Sequence, residues 1–211
     1  MEILKTINAK QILPYISFII LSLNINAQNY KEIQTAFEIS IAQEKDGKFQ
    51  DALNTMKKVY DEKSYEVNLR LGWLSYLSGI FNESIAYYNR CLQLKPMSIE
   101  AYFGIVYPTA ALGNFDQLNT YYNHILEIDP QNTIANYRIG LIYYGRKDYQ
   151  TASKYLQKVL DLYPFDYDTL VLFGWTNLQL GKYREAKVLF NKSLYLKPND
   201  KSALEGLSLI K

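Results

Sequence analysis

The stretch Leu180–Asp200 reads LGKYREAKVLFNKSLYLKPND, and Arg146–Asp166, one interval of 34 residues earlier, reads RKDYQTASKYLQKVLDLYPFD. Aromatic, small, large apolar, proline and capping residues fall in the same order in both. Extending the comparison outward gives prolines at 96, 130, 164 and 198, each 34 residues from the last. Aromatics stand at Phe49, Phe81, Phe115, Tyr149 and Tyr183, at intervals of 32, 34, 34 and 34. A fixed period of this length marks a chain built from stacked supersecondary units.

Each unit reads as two helices. Two residues beyond each proline stands Ser98, Asn132, Asp166 or Asp200, and Ser64 holds the equivalent place one unit earlier. These side chains accept from the free N–H groups at the start of a helix. The proline cannot extend the preceding helix and biases the residue before it away from helical geometry. Small residues recur on both helices, at Gly72, Gly140 and Gly174 on the first and at Ala52, Ser84, Ala152 and Ala186 on the second. They let two backbones approach closely between large flanking residues such as Tyr88, Leu156 and Phe190. A hairpin of this kind buries its apolar face only against its neighbours.

These residues closely resemble the tetratricopeptide repeat (TPR) pattern. The match is best over residues 133–198, where Gly140, Tyr143, Tyr149, Ala152, Leu156 and Pro164 are followed by Gly174, Tyr183, Ala186, Phe190 and Pro198. The resemblance covers about residues 33–198 and implies an all-α, right-handed α-solenoid of about five helix-turn-helix repeats. The units expected are 33–64, 65–98, 99–132, 133–166 and 167–200, within a solenoid of residues 28–211. The last stretch, DKSALEGLSLIK, starts like a first helix and then stops, so 201–211 is expected to cap the end.

Unit three departs from the pattern. Val106 and Leu118 replace the small residues of its two helices, and Pro108 sits inside the first helix. Two readings stay open: repacking by drift, or a kink that reshapes a binding groove. Unit one lacks the closing proline, and the aromatic spacing to unit two is two residues short of the period.

Residues 1–27 differ from the rest. Lys5 and Lys10 precede the apolar stretch ILPYISFIILSLNI (12–25), and Ala27 supplies a small residue before a cleavage point. This is the layout of a secretory signal peptide. The apolar run is shorter than the roughly 20 residues a spanning helix needs, so no membrane span is expected after signal cleavage. A retained anchor is the alternative. No cysteine follows to carry a lipid.

The chain of 211 residues is 48% hydrophobic and 21% charged, a globular balance. A net charge of +2 argues against nucleic acid as the main partner, because phosphate binding needs a concentrated basic surface. The single cysteine, Cys91, excludes an intramolecular disulfide and leaves no zinc site to propose. Glycine-lysine pairs occur in GKFQDA and GKYREA without the glycine-rich loop that a phosphate cradle requires. Neither metal nor cofactor is expected.

The resemblance implies a concave face lined by the first helices, with peptide segments or protein surfaces as partners. The residues mapped to that face include Arg70, Trp73 and Tyr76 in unit two, Phe103 and Tyr107 in unit three, Tyr137, Arg138 and Tyr144 in unit four, and Trp175 in unit five. Arg70 and Arg138 occupy equivalent places two units apart. Trp, Tyr and Arg are enriched at binding hot spots, and a guanidinium pairs well with a peptide carboxylate. The competing reading is that these aromatics fill contacts between neighbouring hairpins. Phe37 and Ile41 stand where chaperone-binding members of the family begin a Lys/Asn carboxylate grip, so that subtype is not expected.

A hydrolase would need a base and a nucleophile at fixed spacing, and the one histidine, His124, lies off the mapped face. The sequence therefore points to a non-enzymatic interaction scaffold or adaptor, exported to the periplasm or cell envelope, where an envelope complex is a further candidate partner. The alternative is a glycan- or peptidoglycan-binding protein whose aromatics stack on sugars.

Overall fold

The computed structural model describes residues 30–210, which contain eleven α-helices and no strand. The expected signal peptide lies outside the described residues. The first helix, α1, covers residues 30–45. It is followed by α2 (Phe49–Lys57), α3 (Tyr65–Leu77), α4 (Phe81–Leu94), α5 (Ile99–Ala111) and α6 (Phe115–Ile128). Then come α7 (Thr133–Gly145), α8 (Tyr149–Leu162), α9 (Tyr167–Gln179), α10 (Tyr183–Leu196) and α11 (Lys201–Ser208). The fold is an all-α solenoid of helical hairpins. It divides into two compact units, one ending at Arg90 within α4 and the other running from Cys91 onward.

The caps read from the sequence are present. Ser64, Ser98, Asn132, Asp166 and Asp200 each accept from the backbone N–H three residues on, at Val67, Ala101, Ala135, Thr169 and Ala203. Each contributes about 1 kcal/mol. The helices α4, α6, α8 and α10 each stop two residues before their proline.

The turn inside each hairpin is equally regular. Gly47, Gly79, Gly113 and Gly181 adopt φ between 71° and 75°, and Lys147 takes the equivalent place with φ 62°. In each turn this residue donates to the carbonyl three residues back and its successor donates to the carbonyl five back, as in Gly181 N–H to Leu178 at 3.0 Å and Lys182 N–H to Asn177 at 2.9 Å. This left-handed cap favours glycine. Lys147 shows that the hydrogen bonds hold the turn even where a side chain carries a conformational cost.

Close approach within the hairpins follows the small-residue pattern. A Cβ added at Gly72 would lie 3.0 Å from the Tyr88 ring, one at Gly140 would lie 2.8 Å from Leu156, and one at Gly174 would lie 2.6 Å from the Phe190 ring. In the first unit, Ser84 Oγ donates to the Gly72 carbonyl at 2.7 Å. There the core is Ala36, Leu53, Met56, Val67, Leu71 and Leu74. In the second unit, α5 and α6, which carry Val106 and Leu118, pack less closely than the α7–α8 and α9–α10 hairpins. The helix α5 continues through Pro108, which is buried.

The helix α11 packs against α9 and α10. Phe190 is fully buried beneath it, and a Cβ at Gly206 would meet that ring at 2.3 Å. Tyr167 Oη donates to Asp200 at 2.5 Å, and Lys197 Nζ stands 3.5 Å from the centre of the Tyr167 ring. The Asp200 carboxylate, as acceptor, pushes the Tyr167 phenol from its ordinary 10.0 up to about 12, and the same bond lowers the Asp200 carboxyl. A lowered acid stabilises the fold above its ordinary pKa, and a raised phenol does so below its own. The contribution of this bond is therefore fully present between pH 3.8 and 10.0, falls away in acid as the Asp200 carboxylate takes up its proton, and is lost in alkali up to about pH 12. Thermal melts of Tyr167→Phe should fall less steeply than wild type across that alkaline interval. Some alkaline loss should remain, because burial also pushes Tyr87 up to about 12. Equal slopes would show that the bond contributes nothing.

Candidate functional site: an apolar pocket over the irregular repeat

In the second compact unit α6 packs against both α5 and α7, and residues of all three helices line one pocket. Where regular repeats place a small residue at the equivalents of 106 and 118, this chain places Val106 and Leu118. The wider hairpin leaves a cavity of about 600 Å³. Val106, Leu118 and Tyr122 form its buried floor. Tyr107 and Phe115 rise at its sides, 51% and 62% exposed, and Leu141 lines the α7 wall at 39% exposed. Cavities of this size hold small molecules or single peptide side chains.

The polar groups sit at the mouth. Arg146 lines the pocket and pairs with Asp116 at 2.6 Å. Arg138, also lining it, is exposed, with its guanidinium 6.0 Å from the Tyr137 ring centre. Among the described residues Arg138 has no carboxylate within ion-pair distance. Burial raises the Tyr122 phenol, partly opposed by the positive charge of Arg138. Tyr122 is therefore neutral at ordinary pH, and the pocket combines an apolar floor with a positive rim.

The structure thus brings Phe103, Tyr107 and Arg138 together, and sends the other mapped residues elsewhere. Tyr137 and Tyr144 pack towards Leu156, Leu172 and Phe173 in the contact between the last two full hairpins. Burial raises both phenols, and the carboxylates of Asp168 and Asp166 act on Tyr137 in the same direction. Trp175 donates through Nε1 to Ser202 Oγ at 2.8 Å and meets the Phe190 ring edge-on at 5.5 Å, which ties it to α11.

In the first unit, Arg70 forms an ion pair with Glu44 and donates through Nε to Ser40 at 3.2 Å. Trp73 donates to the same carboxylate at 2.8 Å. Tyr76 lies between Trp73 and Phe81, with ring centres 5.6 and 6.0 Å away. Arg70 and Trp73 therefore stitch neighbouring hairpins through Glu44. Equivalence of register with Arg138 does not carry equivalence of environment, because α1 supplies a carboxylate and α5 does not.

Several pocket residues were not on the mapped face. In the sequence Val106 and Leu118 stand out only as irregularities, and Phe115 only as the marker that opens α6. The signal was the departure of both small residues in one repeat. His124 sits 2.9 Å from Glu127 and stacks on Tyr102 at 5.4 Å. Cys91 is fully buried. Among the described residues no group of acidic, histidine or cysteine side chains is arranged to hold a metal, and no helix is long and apolar enough to cross a membrane.

Residues 134–166 match the tetratricopeptide repeat family, as do 65–96 and 167–200. No curated protein matches the chain. Among solved structures, it is similar to a tetratricopeptide repeat protein from Parabacteroides merdae (20% identity, 84% of this chain and 72% of that one, TM-score 0.73). MamA from Desulfovibrio magneticus RS-1, residues 41 to the end, gives 18% identity, 81% and 97% coverage and a TM-score of 0.69. YrrB, described as a TPR protein with an unusual peptide-binding site, gives 14% identity, 88% and 97% coverage and a TM-score of 0.69. These likenesses establish the fold. The family matches, with the recurring caps, left-handed turns and glycine contacts, identify residues 65–96, 134–166 and 167–200 as tetratricopeptide repeats.

Proposed function

We propose that the protein is a non-enzymatic scaffold or adaptor that holds a peptide segment of a partner protein against α5 and α7, with an apolar side chain of that segment in the pocket. One observation carries this reading: a cavity of about 600 Å³ with a buried apolar floor lies open beside exposed Tyr107, Phe115 and Leu141. Apolar pockets rimmed by a few polar groups are the ordinary form of a recognition site. The peptide-binding site of YrrB is consistent with this use of the fold. The basic and apolar start of the sequence supports export, so the partner belongs to the periplasm or cell envelope.

A second reading, glycan binding, draws on the same exposed Tyr107 and Phe115 rings, which offer faces for a sugar. Equilibrium titration of the full chain with a peptide library and, separately, with soluble peptidoglycan fragments separates the two. Peptide binding at micromolar concentration, with fragments inert, is the expected result. Saturable binding of fragments alone would replace the peptide reading with the glycan one.

A further inference from the structure

We infer that the segment bound in this pocket carries an aspartate or glutamate side chain within about three residues of its apolar anchor, held by Arg138. This rests on the peptide reading above and adds the charge of the ligand to it. The pocket's two cations differ. Arg146 is neutralised by Asp116 at 2.6 Å, while Arg138 is exposed and joined to no carboxylate among the described residues. The rim therefore presents one uncompensated positive charge beside an apolar floor of Val106, Leu118 and Tyr122.

A ligand that fills the floor and leaves this guanidinium desolvated without a partner would bind at a disadvantage, because charged groups brought against apolar surface need a counter-charge. An acidic side chain is the source that fits. Arg138 projects from the interior of α7, whose backbone N–H groups are used within the helix, so a terminal carboxylate would find one flexible donor rather than a fixed set. An acidic side chain brings its own flexible link and needs only that donor. Each residue of extended chain spans roughly 3.3–3.6 Å, which keeps anchor and acid within about three positions when both engage one pocket.

Selection of a random peptide display library on the full chain tests this, with Arg138→Glu and Leu141→Glu chains as parallel baits after melting confirms that each is folded. Wild type should enrich a bulky apolar residue with Asp or Glu close by, and Arg138→Glu should enrich Lys or Arg at that place. In the leading peptide, Glu→Gln should weaken binding to wild type by about tenfold, the usual scale for a charge-assisted hydrogen bond, and should leave binding to Arg138→Gln unchanged. Apolar anchors without an acidic bias, selected equally by wild type and Arg138→Glu, would overturn the inference while leaving the pocket a peptide site. No enrichment above the Leu141→Glu bait would overturn both.

Discussion

Phe190→Ala should destabilise the carboxyl-terminal end of the protein by about 3–5 kcal/mol, a large share of the roughly 5–15 kcal/mol of a typical domain. The ring is fully buried and lies where any Cβ on Gly174 or Gly206 would stand, at 2.6 and 2.3 Å. Its removal empties the contact shared by α9, α10 and α11 and takes away the partner that Trp175 meets edge-on. In a solenoid, loss of one interface is felt first by the units beyond it, so hydrogen exchange should show α11 opening before the hairpins that precede it. Gly174→Ala tests the same contact from the other side. The new methyl would cost about 1–3 kcal/mol by overpacking, offset by up to about 1 kcal/mol of helix propensity. Gly145→Ala, with nothing within 4 Å of the added Cβ, should be neutral or stabilising. Equal melting of the two alanine variants would mean that close helix approach is not what the glycine provides.

Leu141→Glu should abolish most ligand binding without unfolding the chain. Leu141 is 39% exposed, lines the pocket, and belongs to none of the buried clusters described around Ile139, Leu156 and Phe190. Substitutions at such positions cost little stability, about 0.5 kcal/mol or so. The new carboxylate occupies the wall that an apolar anchor must touch and lies one turn from Arg138, close enough to neutralise it. Loss of a hot-spot contact of at least 2 kcal/mol weakens binding about 30-fold.

Much of the fold was legible because each signal has a local cause. Ser98 or Asp166 caps a helix through its own side chain, Pro130 ends one through its own ring, and Gly140 admits Leu156 by lacking a Cβ. The candidate site was only half legible, because register fixes direction but not neighbours. Trp73 and Trp175 hold the same register as Tyr107 and Leu141. Trp73 finds Glu44, Trp175 finds Ser202, and the other two line an open pocket. Arg70 and Arg138 differ for the same reason. Val106 and Leu118 announced an irregular repeat. Whether two larger residues close over each other or hold two helices apart depends on packing in three dimensions, and here α5 and α6 stand apart.

The most direct test of the account is a paired titration of one labelled, library-selected peptide against the full-length wild-type chain and Leu141→Glu, with melting temperatures measured on the same samples. The account predicts matched melting and an affinity lower by about 30-fold or more in the variant. Equal affinity in two equally folded chains would contradict it and place the peptide away from the pocket of α5, α6 and α7.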